Sequence, residues 1–338
     1  MQNKTRTKFM FLFLIILLLV AIAINISKGS VDVPVSNIIK SLLGKQELSK
    51  MESNILYKIR LPRVFAAILF GGALSISGYL LQTFFKNPIV GPFVLGISSG
   101  AKLFVGFFLL TSTTIPFIEN SPFGLVLVSF LGSLISMALV MHYAKTAESV
   151  STLIVMGIMI GYIASAGTNL MTTFASENQI ASLYGWSLGT FSGVTWEMVK
   201  VSAIIILPSI FFVMLISKPL EGYLLGETYA KSMGINIKVF RMILIGLSSI
   251  LSATVTAFAG PISFVGLAVP HLTRLTMKSS NPKVLTPSIF LLGASFTLMA
   301  DFIARTLFSP AELSLSTVTS FIGAPIVISL MSNRRKRV

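Results

Sequence analysis

Ten long apolar runs dominate this chain of 338 residues, near 9–26, 64–83, 93–112, 122–143, 150–172, 198–217, 240–258, 260–276, 285–304 and 314–332. A helix of about 20 apolar residues spans the hydrocarbon core of a bilayer. Runs of that length leave little chain for a soluble domain. The expected fold is all-α: one polytopic membrane domain over 1–338, with about ten transmembrane helices. Composition agrees. Hydrophobic residues make up 54% of the chain and charged residues only 11%, where a soluble domain carries about 25% charged. A porin-type barrel is disfavoured, because its strands alternate apolar and polar in segments of about 10 residues. The weakest span is 260–276, which Pro261, Gly266 and Pro270 interrupt. Such breaks survive in a bilayer only where neighbours or water satisfy the freed backbone groups.

Lysine and arginine indicate the orientation, because cytoplasmic loops carry the excess. With the N-terminus inside, sixteen of the 26 basic residues fall on the inner side, among them Lys4, Arg6, Lys86, Lys145, Lys231, Arg274 and the terminal RRKR. Nine fall outside, among them Lys40, Lys45, Arg60, Arg63 and Arg305. Both the N- and C-termini are therefore expected in the cytoplasm. Basic loops account for the net charge of +15 more simply than nucleic-acid binding does. The KTRTK start followed by Phe9–Ile26 has a signal peptide as its alternative reading, but the apolar run exceeds the usual h-region of about 7–15 residues. It is read as a retained first helix. The absence of cysteine excludes disulfides, thiolate metal sites and cysteine nucleophiles.

Reactive chemistry is scarce. Lys102 and Asp301 are the ionisable residues placed within spans. Lys102 is expected to snorkel to the cytoplasmic interface, and Asp301 to pair with Arg305 one turn on. His142 and His271 read as structural. Gly44-Lys45 is followed by Gln46 and lacks the rest of a phosphate-cradling loop. No cofactor or metal site is expected. Small residues crowd GGALSISG (71–78), GISSGA (96–101) and GIMIG (157–161), faces that let helix backbones approach closely. Gly78, Gln82, Asn87, Pro88, Gly96, Gly157, Gly161 and Pro270 are the candidates for helix packing or for lining a pathway. Such a chain reads as a transport path without its own motor, so energy must arrive through a partner.

The stretch LEGYLLGETYAKSMGINIKVFR (220–241) is polar and structured where a short connector would suffice. Gly226 is expected to start a short helix in which Glu227 and Lys231 form an i,i+4 pair. Gly234, left-handed, ends it, with Ile235 as the following apolar contact. Asn236 then caps a second short helix, IKVFR. Leu225, Tyr229 and Met233 fall on one face, suited to a hydrophobic groove. The alternative is an amphipathic hairpin lying on lipid.

RLPR (60–63), GGALSISGYLLQTFFKNPIVGPFVLGISSGA (71–101), GWSLGTFSGVTWE (185–197), LGETYAKSMGI (225–235), GPISFVGLAVPHLTRL (260–275), LLGASFTLMADFIAR (291–305) and SPAEL…TSFIGAPI (309–326) occur in this order. From about residue 60 to the end the chain resembles the FecCD-type permease subunits of bacterial ABC importers for iron chelates, haem and cobalamin. It departs from the pattern in NPIV (87–90), where the family has Asn-Pro-Leu-Ala, and in Lys102, whose role stays open. The resemblance implies a non-catalytic permease in the cell membrane. A second permease, identical or paralogous, two cytoplasmic ATPase subunits and an extracytoplasmic binding protein would complete the importer. It implies that Leu225, Gly226, Glu227, Tyr229, Ala230, Met233, Gly234 and Ile235 belong to the coupling segment that meets the ATPase. It also implies that Arg60, Arg63 and Arg305 dock the binding protein as outer-rim charges. A ferric siderophore is the first substrate reading, with haem and cobalamin as alternatives. A secondary transporter, the alternative class, needs coupling-ion sites near the midplane. On the expected topology a cysteine at Gly222 reacts with a membrane-impermeant thiol reagent only from the cytoplasm, and one at Glu177 only from outside.

Overall fold

The computed structural model describes residues 4–29, 49–110, 123–144 and 150–335. Lys40, Gly44, Lys45, Lys145, Lys336 and Arg337, considered above, lie outside the described residues. Among the described residues all regular structure is helical. In chain order the helices are α1 (Lys4–Ser27), α2 (Lys50–Asn54), α3 (Leu61–Phe84), α4 (Ile97–Leu110), α5 (Gly124–Ala144), α6 (Val150–Thr172) and α7 (Glu177–Ser187). They continue with α8 (Trp196–Leu215), α9 (Ser217–Leu225), α10 (Glu227–Ser232), α11 (Ile237–Ala259), α12 (Val265–Met277), α13 (Pro282–Thr306) and α14 (Leu315–Arg335). A π-helical turn, Ile55–Arg60, joins α2 to α3.

Among the described residues seven helical stretches are long and apolar enough to cross a membrane: α1, the rod from α2 through α3, α5, α6, α8, α11 and α13. The other three expected spans form shorter helices, two of them, in α4 and α14, apolar. α4 begins only at Ile97, because a 3-10 turn over Pro92–Leu95 and left-handed Gly96 (φ 70°) precede it. α12 begins at Val265, because Gly260 and Phe264 hold left-handed backbone at φ 73° and 63°. In α14 the apolar part is Leu315–Ser329.

The most enclosed element is α3. From Pro62 to Phe84 only Phe65 and Ile68 escape full burial. It packs against α11, α12 and α13. Small residues permit this. A Cβ added at Gly71 would lie 2.5 Å from the Gly293 carbonyl oxygen, and one at Gly78 only 1.7 Å from that of Gly266. The crossing at Gly78 serves the broken helix α12. Pro270 has no N–H, so the Gly266 carbonyl loses its helical donor. Gln82, one turn beyond Gly78, donates from Nε2 to the carbonyls of Leu267 (3.0 Å) and Gly266 (3.4 Å). Its Oε1 accepts from Arg274 at 3.3 Å. Gly96 makes a second close approach: a Cβ there would be 3.0 Å from both Gly157 O and Gly161 N of α6. Asn87 Oδ1 takes the Ile89 N–H at 3.0 Å and closes the turn at Pro88. The sequence candidates for packing thus lie at helix crossings and turns.

Depth assigns Lys102 differently from the expectation. Gly96 abuts Gly161, and Leu103 abuts Gly167. At about 1.5 Å of rise per residue, Lys102 lies roughly 24 Å from the Val150 end of α6 and about 8 Å from its Thr172 end. The Val150 end is the one expected in the cytoplasm, and a lysine side chain does not reach it. The broken entry over residues 85–96 carries the chain inward before α4 begins, which raises Lys102 across the bundle.

Gly78→Ala forces a methyl onto a backbone carbonyl that no rotamer can relieve. Overpacking of this kind costs about 1–3 kcal/mol. The expected outcome is a lower thermal midpoint in detergent, while Gly246→Ala, with open space around its Cβ position, leaves the midpoint unchanged.

Candidate functional site

Charge collects at both ends of α3. At its start, Arg63 donates from Nε to Asp301 of α13 at 3.0 and 3.1 Å and from Nη2 at 2.8 Å. The same guanidinium bonds Glu312, in the segment after α13. Arg305 Nε lies 3.2 Å from Asp301 Oδ2, the expected i,i+4 pair. Its Nη2 donates to Asn25 Oδ1 at 2.8 Å, and Asn25 Nδ2 donates to the Leu298 carbonyl at 3.0 Å. Arg60 Nη1 donates to the carbonyls of Ile26 and Ser27 at 2.5 and 3.0 Å. These belong to the last turn of α1, where unsatisfied carbonyls favour a cation.

The network ties α1, α3, α13 and the following segment together at one end of the bundle. Its burial corrects the picture of exposed rim arginines. Arg60 is 4% exposed, Arg63 8% and Asp301 2%. A buried carboxylate needs charged donors, and the Arg63 fork supplies a bidentate set that Arg305 alone does not. Glu312 was not singled out by sequence reasoning; an acid 249 positions from Arg63 leaves no local signal.

At the other end of α3 stands the 220–241 stretch. α9 ends at Gly226, whose φ of 132° starts the short helix α10 as expected. Ile235 N–H bonds Ala230 O at 3.1 Å and Gly234 N–H bonds Lys231 O at 2.9 Å, with Gly234 at φ 80°. This pair of bonds is a Schellman closure. Asn236 then caps the next helix by accepting from Val239 N–H at 3.2 Å. The expected second short helix is instead the first turns of α11. No proline follows the cap before Ala259, so the helix runs on unbroken.

Ala230 is buried, whereas Leu225, Tyr229 and Met233 are 67%, 50% and 52% exposed. They form an apolar tip that stays exposed among the described residues. Beside it a cavity of about 450 Å³ is lined by Glu221, Leu224, Leu225, Lys278, Ser280 and Asn281. Gly222 is packed, since a Cβ there would sit 2.9 Å from Met233 Sδ. Exposed Ser232 is therefore the better labelling position on this side.

Glu227 does not pair with Lys231. Its Oε1 accepts from Arg241 Nη2 at 2.6 Å and from the Tyr223 hydroxyl at 3.2 Å, with Lys86 Nζ at 3.8 Å. The turn at Gly234 folds α11 back and brings Arg241 to the acid. Burial acts to raise the Glu227 carboxyl. The hydrogen bond and charge of Arg241, helped by Lys86 and Tyr223, outweigh it and hold the carboxyl below the ordinary glutamate range. The pairing is therefore fully present above the ordinary glutamate pKa and is lost only as pH falls through the lowered value. Burial pushes the Tyr223 phenol up.

The described residues form an apolar helical bundle of membrane-protein type, interrupted at α12, with a short helical turn at one end. The model of the FecCD transport family matches residues 17–333, and the chain belongs to that family. The vitamin B12 import system permease protein BtuC of Klebsiella pneumoniae subsp. pneumoniae is 35% identical, over 86% of this chain and 86% of its own. The hemin transport system permease protein HmuU of Yersinia pestis is 32% identical, over 84% and 85%. A solved inward-facing ABC transporter of metal-chelate type matches with a TM-score of 0.84 and 28% identity, over 96% of this chain and 99% of its own. The chain is accordingly an ABC-importer permease, a multi-pass protein of the cell membrane.

Removing Asp301 leaves two guanidinium groups facing each other without their shared acid. Breaking a buried ion pair costs about 3–5 kcal/mol. Asp301→Ala is expected to show a loss of that size in chemical unfolding in detergent, and Asp301→Asn, which keeps an acceptor, a smaller one.

Proposed function

We propose that this permease carries a ferric chelate, with a siderophore as first choice, through a pathway formed with a second permease subunit. Two ATPase subunits engage the α10 turn, so the Glu227 end is cytoplasmic, as are both termini. A binding protein delivers the ligand at the Arg63 end. The observation that carries this reading is the apolar tip of Leu225, Tyr229 and Met233. It is exposed on a turn whose C-terminal end is closed by the backbone bonds of Gly234 and Ile235. A rigid knob of this kind fits a groove on a partner better than it fits lipid, because Glu227, Lys231 and Lys238 surround it. The relatives are named for cobalamin and hemin and the solved neighbour for a metal chelate. A chelated metal ion is common to all three, and this supports the substrate class. Arg60, Arg63 and Arg305 are proposed to attract acids of the binding protein. Arg63 and Arg305 keep only 10% and 12% of their side-chain surface exposed, so they act through field and encounter rate more than through broad contact.

Proteoliposomes holding the complete transporter, with ATP on the ATPase side and no ion gradient, test the reading. A panel of an iron-labelled hydroxamate siderophore, hemin and cyanocobalamin is offered with the binding protein. ATP-dependent accumulation of the siderophore is expected. Uptake driven only by an ion gradient would refute the importer reading. Gly234→Val places a β-branched residue at φ 80° and is expected to lower uptake by about tenfold or more.

A further inference from the structure

Lys86 stands where a glycine is expected. It follows the C-cap of α3. Its N–H bonds the Thr83 carbonyl at 3.3 Å, and the Asn87 N–H bonds that of Gln82 at 3.2 Å. These two bonds close a helix on a left-handed residue. The φ of Lys86 is +49°, a region that strains a residue with a Cβ and that glycine enters freely. The lysine side chain has its own target. Its Nζ lies 3.8 Å from Glu227 Oε1 and 5.7 Å from the centre of the Tyr223 ring. Glu227 is held at the same time by Arg241 and Tyr223. One carboxylate thereby joins the end of α3, α9, α10 and the start of α11. From this joint α3 runs the length of the bundle to Arg63 and the buried network at its other end.

We propose that Glu227, gripped by Lys86 and Arg241, is the positioning residue that makes α10 move as one body with the ends of α3 and α11. The proposal rests on the coupling role assigned to α10 above. The two cations do different work. Arg241 makes a short charge-assisted bond that fixes α10 to the helix following it in sequence. Lys86, 55% exposed at its side chain, reaches over from α3, the helix that carries Arg63. Without Lys86 the turn stays attached to α11 but loses its charged link to α3.

The test places spin labels at Ser232→Cys on α10 and Ile89→Cys in the turn after α3, both exposed. Their distance is measured by pulsed EPR in the complete transporter in lipid nanodiscs, nucleotide-free and with MgATP plus vanadate. With Lys86 present, one narrow distance is expected in both states. In Lys86→Gly the distance shifts or broadens between the states, while the thermal midpoint holds or rises because glycine relieves the left-handed backbone. Lys86→Arg restores the single distance. A role confined to ending α3 predicts that Lys86→Gly behaves like the unsubstituted chain. That result overturns the proposal, as does a nucleotide-dependent change with Lys86 in place. Failure of the coupling reading looks different: the Ser232 label is then equally mobile with and without the ATPase subunits, and the proposal falls with its premise.

Discussion

Gly78 lies against the carbonyl of Gly266, and the arrangement of the bundle depends on that approach. Hydrocarbon offers no hydrogen bonds to a peptide group. A segment broken at Gly260, Phe264 and Pro270 survives there only if its freed carbonyls find donors within the protein. Gln82 supplies donors to Gly266 and Leu267, while the Thr190 N–H and the Ser316 hydroxyl serve Ala259 and Pro261; Gln82 lies on the same face of α3 as Gly78, one turn on. Any side chain at position 78 would hold α12 away and leave those carbonyls bare. The same irregularity opens space. The turn at Gly91–Phe93 faces the non-helical backbone at Ile262–Phe264 across an apolar cavity of about 190 Å³, with Leu74 and Leu267 in its wall. The rigidity of α3 and the looseness around α12 are two sides of one packing solution.

The charges at the two ends of α3 differ in kind. The Arg63–Asp301 pair is dry, with the carboxylate 2% exposed. Removing Asp301 leaves Arg63 and Arg305 in a low-dielectric site without the acid they share, so the arrangement depends on that carboxylate. At the other end Glu227, Arg241 and Lys86 keep between 27% and 55% of their side-chain surface. Exposed pairs contribute little singly, so the hold on α10 comes from three groups on one carboxylate, Arg241, Tyr223 and Lys86.

Much of the projecting turn was legible because helix ends obey local chemistry. Gly226, Gly234 and Asn236 act on backbone groups within five residues of themselves, and all three do what their residue types imply. The pairing of Asp301 with Arg305 was legible for the same reason. The i,i+4 rule failed at Glu227, because α10 is six residues long and Lys231 faces solvent, while the reversal at Gly234 delivers Arg241. The depth of Lys102 was missed because a hydropathy window counts residues, whether or not they rise along a helix. The arginines were placed at the correct end of their helices, but their burial was not visible.

The sequence by itself determined the membrane setting, the order of the helices, their caps and the family. Each of these follows from average hydropathy, from contacts a few residues apart, or from motifs read in line. Tertiary structure alone decided which charges distant in sequence meet. Glu227 and Arg241 are 14 positions apart, and Arg63 and Asp301 are 238 apart. Across such separations a charge has many possible partners along the chain, and only the close crossings of α3 with its neighbours select one.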